Sequence, residues 1–201
     1  MKREIEFKLE LSARLYDEIL AACPKVQREV CQENTFFDTE DRILASSRWA
    51  LRIRRESDRY LLTVKGPSQN RTDEAYARIE IESPLSSDDA ERLCRGFSLE
   101  QSEAAPCRHL RGLFGDLHLV PLFSFKNLRK SVAIHNMNIE LDRTEILGKI
   151  FYELELETTP KRRSEDQAAL REWFASHNWQ YTPSRVSKLQ RALAIHSEHQ
   201  Y

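Results

Sequence analysis

The 201-residue chain is short of several things at once. It has only five glycines, and none stands in a GxxxxGK(S/T) or GxGxxG context, which argues against a P-loop nucleotidase and a Rossmann dehydrogenase. Its four cysteines, Cys23, Cys31, Cys94 and Cys107, show neither CxxC spacing nor a paired histidine pattern. They read as reduced packing residues, not as a zinc site, a redox pair or a disulfide framework. Long apolar runs are missing too. The most apolar stretch, Leu117 to Phe125, is broken by His118 and Pro121 and is too short to span a bilayer. The opening MKREIEFKLEL alternates charge with hydrophobe and lacks the apolar core of a secretory signal. A cytoplasmic protein without a membrane anchor is the expectation. Finally, neither sign of charge is in excess: 31 Lys+Arg face 32 Asp+Glu, for a net charge of −1. That balance argues against a dedicated duplex nucleic-acid binder, whose phosphate contacts need a basic surplus.

What is present is enough to fold. Hydrophobic residues make up 40% of the chain, including nine Phe, six Tyr and three Trp, so a sizeable core and one domain over residues 1–201 are expected. Period-two alternation dominates: residues 2–11, then segments near 26–38, 48–56, 59–66, 74–83, 122–134, 136–143 and 150–158. Ser12 predicts the cap of a helix running to about Ala22 and stopped by Pro24. Further helices are predicted at 86–95 with Gly96 as the stop, at 164–177 and at 184–197. Residues 97–121 are the least readable stretch, with room for another short helix. About eight strands with few helices indicate an α+β fold built on an antiparallel sheet or barrel.

The faces that alternate with the apolar ones are almost wholly ionic and carry both signs. Glu4, Glu6 and Lys8 share one; Arg52 and Arg54 another; Thr63 and Lys65 a third. Arg78, Glu80 and Glu82 follow, then Asn138, Glu140 and Asp142, then Glu153, Glu155 and Glu157. One such strand would be an ordinary solvated face with weak cross-strand ion pairs. Six together read differently. Carboxylate clusters are stable around a hard divalent cation, and Lys/Arg clusters around an oligophosphate. Inward-facing charge would let one interior bind both.

Glu4-Ile5-Glu6-Phe7-Lys8 is an ExExK motif, and the chain resembles the CYTH superfamily, the triphosphate tunnel metalloenzymes. Further matches follow in the family's order across essentially the whole chain: NTFFDT (Asn34–Thr39), LRIR (Leu51–Arg54), LLTVKGP (Leu61–Pro67), RIEIE (Arg78–Glu82), an Arg-bearing strand at Arg129, IELD (Ile139–Asp142), YELELE (Tyr152–Glu157) and SKLQ (Ser187–Gln190). The resemblance implies an eight-stranded antiparallel closed β-barrel, a tunnel, with helices packed outside, holding a triphosphate with Mg²⁺ or Mn²⁺. It implies a triphosphate-binding set of Lys8, Arg52, Arg54, Lys65, Arg78, Arg129 and Lys188. It implies metal-facing acids at Glu4, Glu6, Glu80, Glu82, Asp142, Glu153 and Glu155, with Glu140 beside them, and a catalytic group of Glu4, Glu6 and Lys8. Glu157 continues the parity towards the tunnel mouth, and Lys130 points away from Arg129. Lys188 falls in a predicted helix, where a solvated lysine is the ordinary reading; only the SKL match raises it.

The superfamily includes inorganic and thiamine triphosphatases, RNA triphosphatases and class IV adenylyl cyclases. Class IV cyclases carry an aromatic or His-Phe lead-in before ExExK, where this chain has Met1-Lys2-Arg3. For thiamine recognition Trp49 is close, but parity puts it opposite Arg52 and Arg54, whereas Phe125 and Asn127 share the parity of Arg129. The expectation is a metal-dependent triphosphatase for inorganic tripolyphosphate or a small organic triphosphate, acting as a monomer or homodimer. The alternatives are a class IV-type adenylyl cyclase and a non-catalytic triphosphate- or polyphosphate-binding module. The six histidines are scattered and none is spaced as a general base.

Overall fold

The computed structural model describes residues 2–23, 25–67 and 75–198. Pro24, residue 74 of the predicted fifth strand and His199 lie outside them, as does Met1. In chain order the elements are β1 (Lys2–Leu11), α1 (Ala13–Ala22), β2 (Val26–Asp38), α2 (Ile43–Ser46), β3 (Ala50–Glu56), β4 (Arg59–Lys65), β5 (Ala75–Leu85), α3 (Ser87–Leu93), β6 (Phe97–Ser98), α4 (Ala105–Phe114), β7 (His118–Ile134), β8 (Met137–Ile146), β9 (Lys149–Thr158), α5 (Arg163–Ser176) and α6 (Lys188–Glu198). The strand order is β2-β3-β4-β5-β1-β9-β8-β7, and a β2–β7 pairing closes these eight into an antiparallel barrel, with β6 as a ninth strand on β7. Closure leaves none of the eight with an open edge, which suits strands whose two faces differ as sharply as these.

Local chemistry sets the boundaries. Ser12 caps α1 by accepting from the Leu15 amide at 3.1 Å, and Ser86 does the same for Asp89 at the start of α3. After α3 the chain turns at Gly96, whose φ of 99° lies in the left-handed region. The short α2 was not anticipated, and the DT of NTFFDT explains it. Asp38 accepts from the Leu44 and Ala45 amides at 2.8 and 2.9 Å, while the Thr39 hydroxyl accepts from Ile43 at 2.9 Å. Three donors orphaned at a helix start are thus satisfied from the preceding strand. The unreadable 97–121 region resolves into β6, a 3₁₀ turn at Leu99–Gln101, α4 and the first residues of β7. The last helix starts at Lys188, four residues later than the pattern predicts, because Pro183 bridges Leu9 and the Ser184 amide donates to the Lys8 carbonyl at 2.8 Å.

The chain forms two compact units. One comprises Cys31–Ser68 and Arg78–Lys126 with Met1–Arg3. Its core packs Leu51 and Ile53 of β3 and Leu62 and Val64 of β4 against Leu93 of α3 and Leu110 of α4. Trp49 lies against this core with its ring 5.1 Å from that of His109. A Cβ on Gly66 would meet Trp49 Cη2 at 3.0 Å, so a larger residue there would press on the indole. The other unit comprises Glu4–Val30, Gln69–Ala77 and Asn127–Tyr201. In it Ile5, Phe7 and Leu9 of β1, Ile139 and Leu141 of β8 and Leu154 and Leu156 of β9 pack against Tyr16 and Ile19 of α1 and Leu170, Trp173 and Phe174 of α5. In both units the helices cover the apolar face, leaving the ionic face of the same strands turned the other way. Among the described residues no helix is long and apolar enough to cross a membrane.

Candidate functional site

The second unit gathers a dense ionic cluster on the face of β1, β9 and β8 opposite its core. Antiparallel register places Lys8 across from Glu155, Glu155 across from Glu140, and Glu153 across from Asp142. The β8–β9 turn fixes that register. Leu147 and Gly148 both have positive φ, at 47° and 78°, the two-residue turn that matches strand twist. Lys8 donates to Glu155 Oε1 at 2.7 Å and stands 3.5 Å from Glu6. Arg129 clamps Asp142 with two bonds of 2.7 and 2.6 Å and donates to Glu155 Oε2 at 2.5 Å. Lys188, the first residue of α6, sets its ammonium among Asp142 (2.7 Å), Glu153 (2.8 Å) and Glu155 (2.6 Å).

These groups are deeply buried: Lys8 is 6%, Glu6 5%, Asp142 0%, Glu153 1% and Glu155 8% exposed. For Lys8, Lys188, Arg129, Asp142 and Glu155 mutual attraction outweighs burial. Burial pushes against the Lys8 and Lys188 ammoniums, but the surrounding carboxylates hold both pKa values above the ordinary lysine range. Arg129 is likewise raised well above its usual value by Asp142 and Glu155, against desolvation. Burial would raise the two acids, yet Lys188 and Arg129 bring Asp142 down to about 2, and Lys188, Lys8 and Arg129 hold Glu155 well below the usual carboxylate range.

A depressed carboxyl stabilises the fold above its unfolded value and loses that contribution as pH falls through the folded one. The thermal midpoint should therefore drop steeply between about pH 4 and pH 2, and Asp142→Asn should flatten part of that drop. A midpoint insensitive to acid over this window, followed by circular dichroism, would contradict the ionised pairing.

The first unit carries the other half of the sequence-derived set. The pattern of β3 alternates buried Leu51 and Ile53 with half-buried Arg52 and Arg54. Arg54 donates from Nε to Asn34 Oδ1 at 3.1 Å. Lys65 pairs with Glu80 at 2.8 Å, and Glu82 accepts from the Thr63 hydroxyl at 3.0 Å. Arg78 is half-buried on β5. In the second unit, Lys130 pairs with Glu29 at 3.2 Å, away from the Arg129 cluster, and Glu157 is exposed.

Several members of the second-unit network stand outside the predicted site set. Arg191, one helical turn after Lys188, lies 3.6 Å from Glu153 and over the Phe151 ring. The i, i+3 spacing to Lys188 is the cue that would have found it. Asn127 donates to Asp142 at 2.9 Å and accepts from Thr144 at 2.8 Å, so its amide serves this network and offers no surface to an organic group. Ser131 donates to Glu140. Phe125, by contrast, stacks on Phe36, with ring centroids 5.5 Å apart.

The chemistry of the acids fits a hard divalent ion. Carboxylate oxygens are the preferred ligands of Mg²⁺ and Mn²⁺. Directly opposed like charges, such as Glu6 across from Glu157, destabilise a sheet unless a cation stands by them. Asp142, Glu153 and Glu155 are committed to ammonium and guanidinium partners, and Glu80 to Lys65. Glu4 and Glu6 are buried on β1. Among the described residues no group of three His, Cys, Asp or Glu is already arranged as a metal cluster.

Comparison with known proteins agrees with this fold. The family model of the CYTH domain matches residues 2–193. YjbK of Bacillus subtilis (strain 168), named a putative triphosphatase, is 29% identical over 156 residues, covering 77% of this chain and 76% of that one. The structure of HpAC1 from Hippeastrum, described as a putative adenylyl cyclase with a dominant triphosphatase activity, superposes with a TM-score of 0.81 at 26% identity over 95% of each chain. A Bacillus halodurans protein described as a putative adenylate cyclase gives a TM-score of 0.74 at 23% identity, covering 95% of this chain and 98% of that one, and so supports the fold alone.

Proposed function

The chain belongs to the CYTH domain family, and we propose that within it this protein is a metal-dependent triphosphatase hydrolysing inorganic tripolyphosphate or a small organic triphosphate such as thiamine triphosphate. One observation carries the reading: three cations, the buried Lys8 and the partly buried Arg129 and Lys188, converge on buried carboxylates in the second unit. A buried ionic network of this size is a poor way to stabilise a fold, since desolvation offsets most of its attraction. A polyanion that needs several fixed cations explains why it is kept.

In this reading Lys8, Arg129 and Lys188 bind phosphate oxygens, and Arg52, Arg54, Lys65 and Arg78 are the further proposed triphosphate contacts. Cations held in place before the substrate arrives stabilise the charge that builds on the leaving and transferred groups, without reorganisation cost. Glu4 and Glu6 would hold Mg²⁺ or Mn²⁺, which when bound supplies charge neutralisation and a more acidic water. Glu80, Glu153 and Glu155 orient the cations, and with Glu82 they stand by as further oxygen donors. No covalent nucleophile is required. The protein is proposed to work in the cytoplasm on a small-molecule substrate, as a monomer or homodimer.

The test is to incubate the purified protein with Mg²⁺ or Mn²⁺ and tripolyphosphate, thiamine triphosphate or ATP, following both phosphate and cyclic AMP. Phosphate release is expected. Cyclic AMP without phosphate release from any substrate would favour the cyclase alternative, and tight binding without turnover the binding-module alternative. Lys65→Ala should raise KM for the triphosphate about tenfold, one charge-assisted contact. Lys161→Ala, at an exposed position, should leave KM unchanged; equal effects of the two would remove Lys65 from the contact set.

A further inference from the structure

Asp142 is the most deeply buried acid of the cluster, fully shielded from solvent, and its four strongest acceptor directions are all taken. Oδ1 accepts from Asn127 Nδ2 at 2.9 Å and from Arg129 Nε at 2.7 Å. Oδ2 accepts from Arg129 Nη2 at 2.6 Å and from Lys188 Nζ at 2.7 Å. A carboxylate offers about four lone-pair sites, so a metal ion could bind only by displacing a donor, three of which are charged.

The amide that closes this arrangement is itself fixed. Thr144 Oγ donates to Asn127 Oδ1 at 2.8 Å, which turns the Asn127 amino group towards Asp142. Reversing the amide would set its oxygen against the carboxylate. Asn127 and Thr144 are 2% and 1% exposed, so no water replaces these bonds cheaply. Asn127 and Arg129 stand two apart on β7, and Asp142 and Thr144 two apart on β8. Period-two geometry therefore places all four on one face as a block. The block holds the Nε–Nη2 edge of Arg129 and leaves the Nη1 side outside the clamp.

We propose that Asp142 is a positioning residue, held by the Thr144–Asn127 pair, that fixes Arg129 and Lys188 for the triphosphate and does not ligate the divalent ion. The proposal takes the triphosphatase reading as its premise, but its test does not depend on turnover. The full-length protein is titrated with Mn²⁺ alone, read by electron paramagnetic resonance, and with tripolyphosphate in EDTA, read by calorimetry. Asp142→Asn and Thr144→Val should each weaken tripolyphosphate binding about tenfold, the usual cost of losing an outer support, with Mn²⁺ affinity within about twofold. Thr144→Ser, which keeps the hydroxyl, should restore tripolyphosphate affinity. A purely structural role would instead lower the thermal midpoint while leaving both affinities of the folded protein intact, and would overturn the proposal. A tenfold fall in Mn²⁺ affinity in Asp142→Asn would overturn it as well, by returning Asp142 to the ligands. Absence of hydrolysis by the wild type would defeat the triphosphatase reading and leave this comparison standing.

Discussion

A Glu155→Ala protein is expected to unfold at a temperature about 10 °C below the wild type, from a loss of about 3–5 kcal/mol spread over a chain of this size. The reason is the number of charges the change strands. Lys8, Lys188 and Arg129 all donate to this one carboxylate, at 2.7, 2.6 and 2.5 Å, and all three are largely withdrawn from water. Removing it leaves buried cations crowded together with fewer counterions. A surface pair gives the contrast. Arg14 and Glu18 meet at 2.7 Å on α1, but the Arg14 side chain is 89% exposed, so Glu18→Ala should cost less than about 1 kcal/mol. Thermal unfolding by circular dichroism decides between them. Equal shifts for the two variants would mean that the cluster does not bear on stability.

Glu4→Gln is expected to act on turnover, lowering kcat at least about 100-fold while the fold survives. The two side chains have nearly the same shape, and Glu4 lies on β1 among well-packed neighbours, so the strand has little reason to move. What changes is the oxygen donor proposed for the divalent ion. Phosphate release at saturating tripolyphosphate, measured beside the thermal midpoint, separates the two effects. Undiminished kcat would remove Glu4 from the site; a collapsed midpoint would make its role structural.

Much of this architecture is legible in the sequence, because strand parity is a local property. Leu51, Arg52, Ile53 and Arg54 alternate in sequence and alternate in burial. Along β1 and β9 the sequence alternates in the same way, but charged and apolar faces are both buried. Helix starts with a polar cap were legible for the same reason, as Ser12 and Ser86 show. What sequence could not supply depends on contacts distant along the chain. The start of α6 is set by Pro183 and Ser184 bonding to β1, and that offset delivers Lys188 into the carboxylates. Parity carries nothing about a helix-borne lysine; the SKL resemblance alone pointed to it. Asn127 shows the opposite limit. Its face was read correctly, yet the direction of its amide is decided by Thr144, 17 residues away.

In the proposed reading the cluster would work as a small ion exchanger already loaded with its own counterions. Lys8, Arg129, Lys188 and Arg191 face Glu6, Asp142, Glu153 and Glu155, with Glu140 and Glu10 at the edge of the same network. A bare patch of cations would adsorb any passing anion, chloride and monophosphate included. Here each incoming anion must outbid Glu153 or Glu155, fixed beside the cations that Asp142 positions, which a singly bonded ion does poorly and a chain of linked phosphates does well. The carboxylates set free in the swap then need a cation of their own, so anion and metal are best taken up as a pair. Under the same proposal, the near-equality of acidic and basic residues in the whole chain would serve, at this spot, as a selectivity filter.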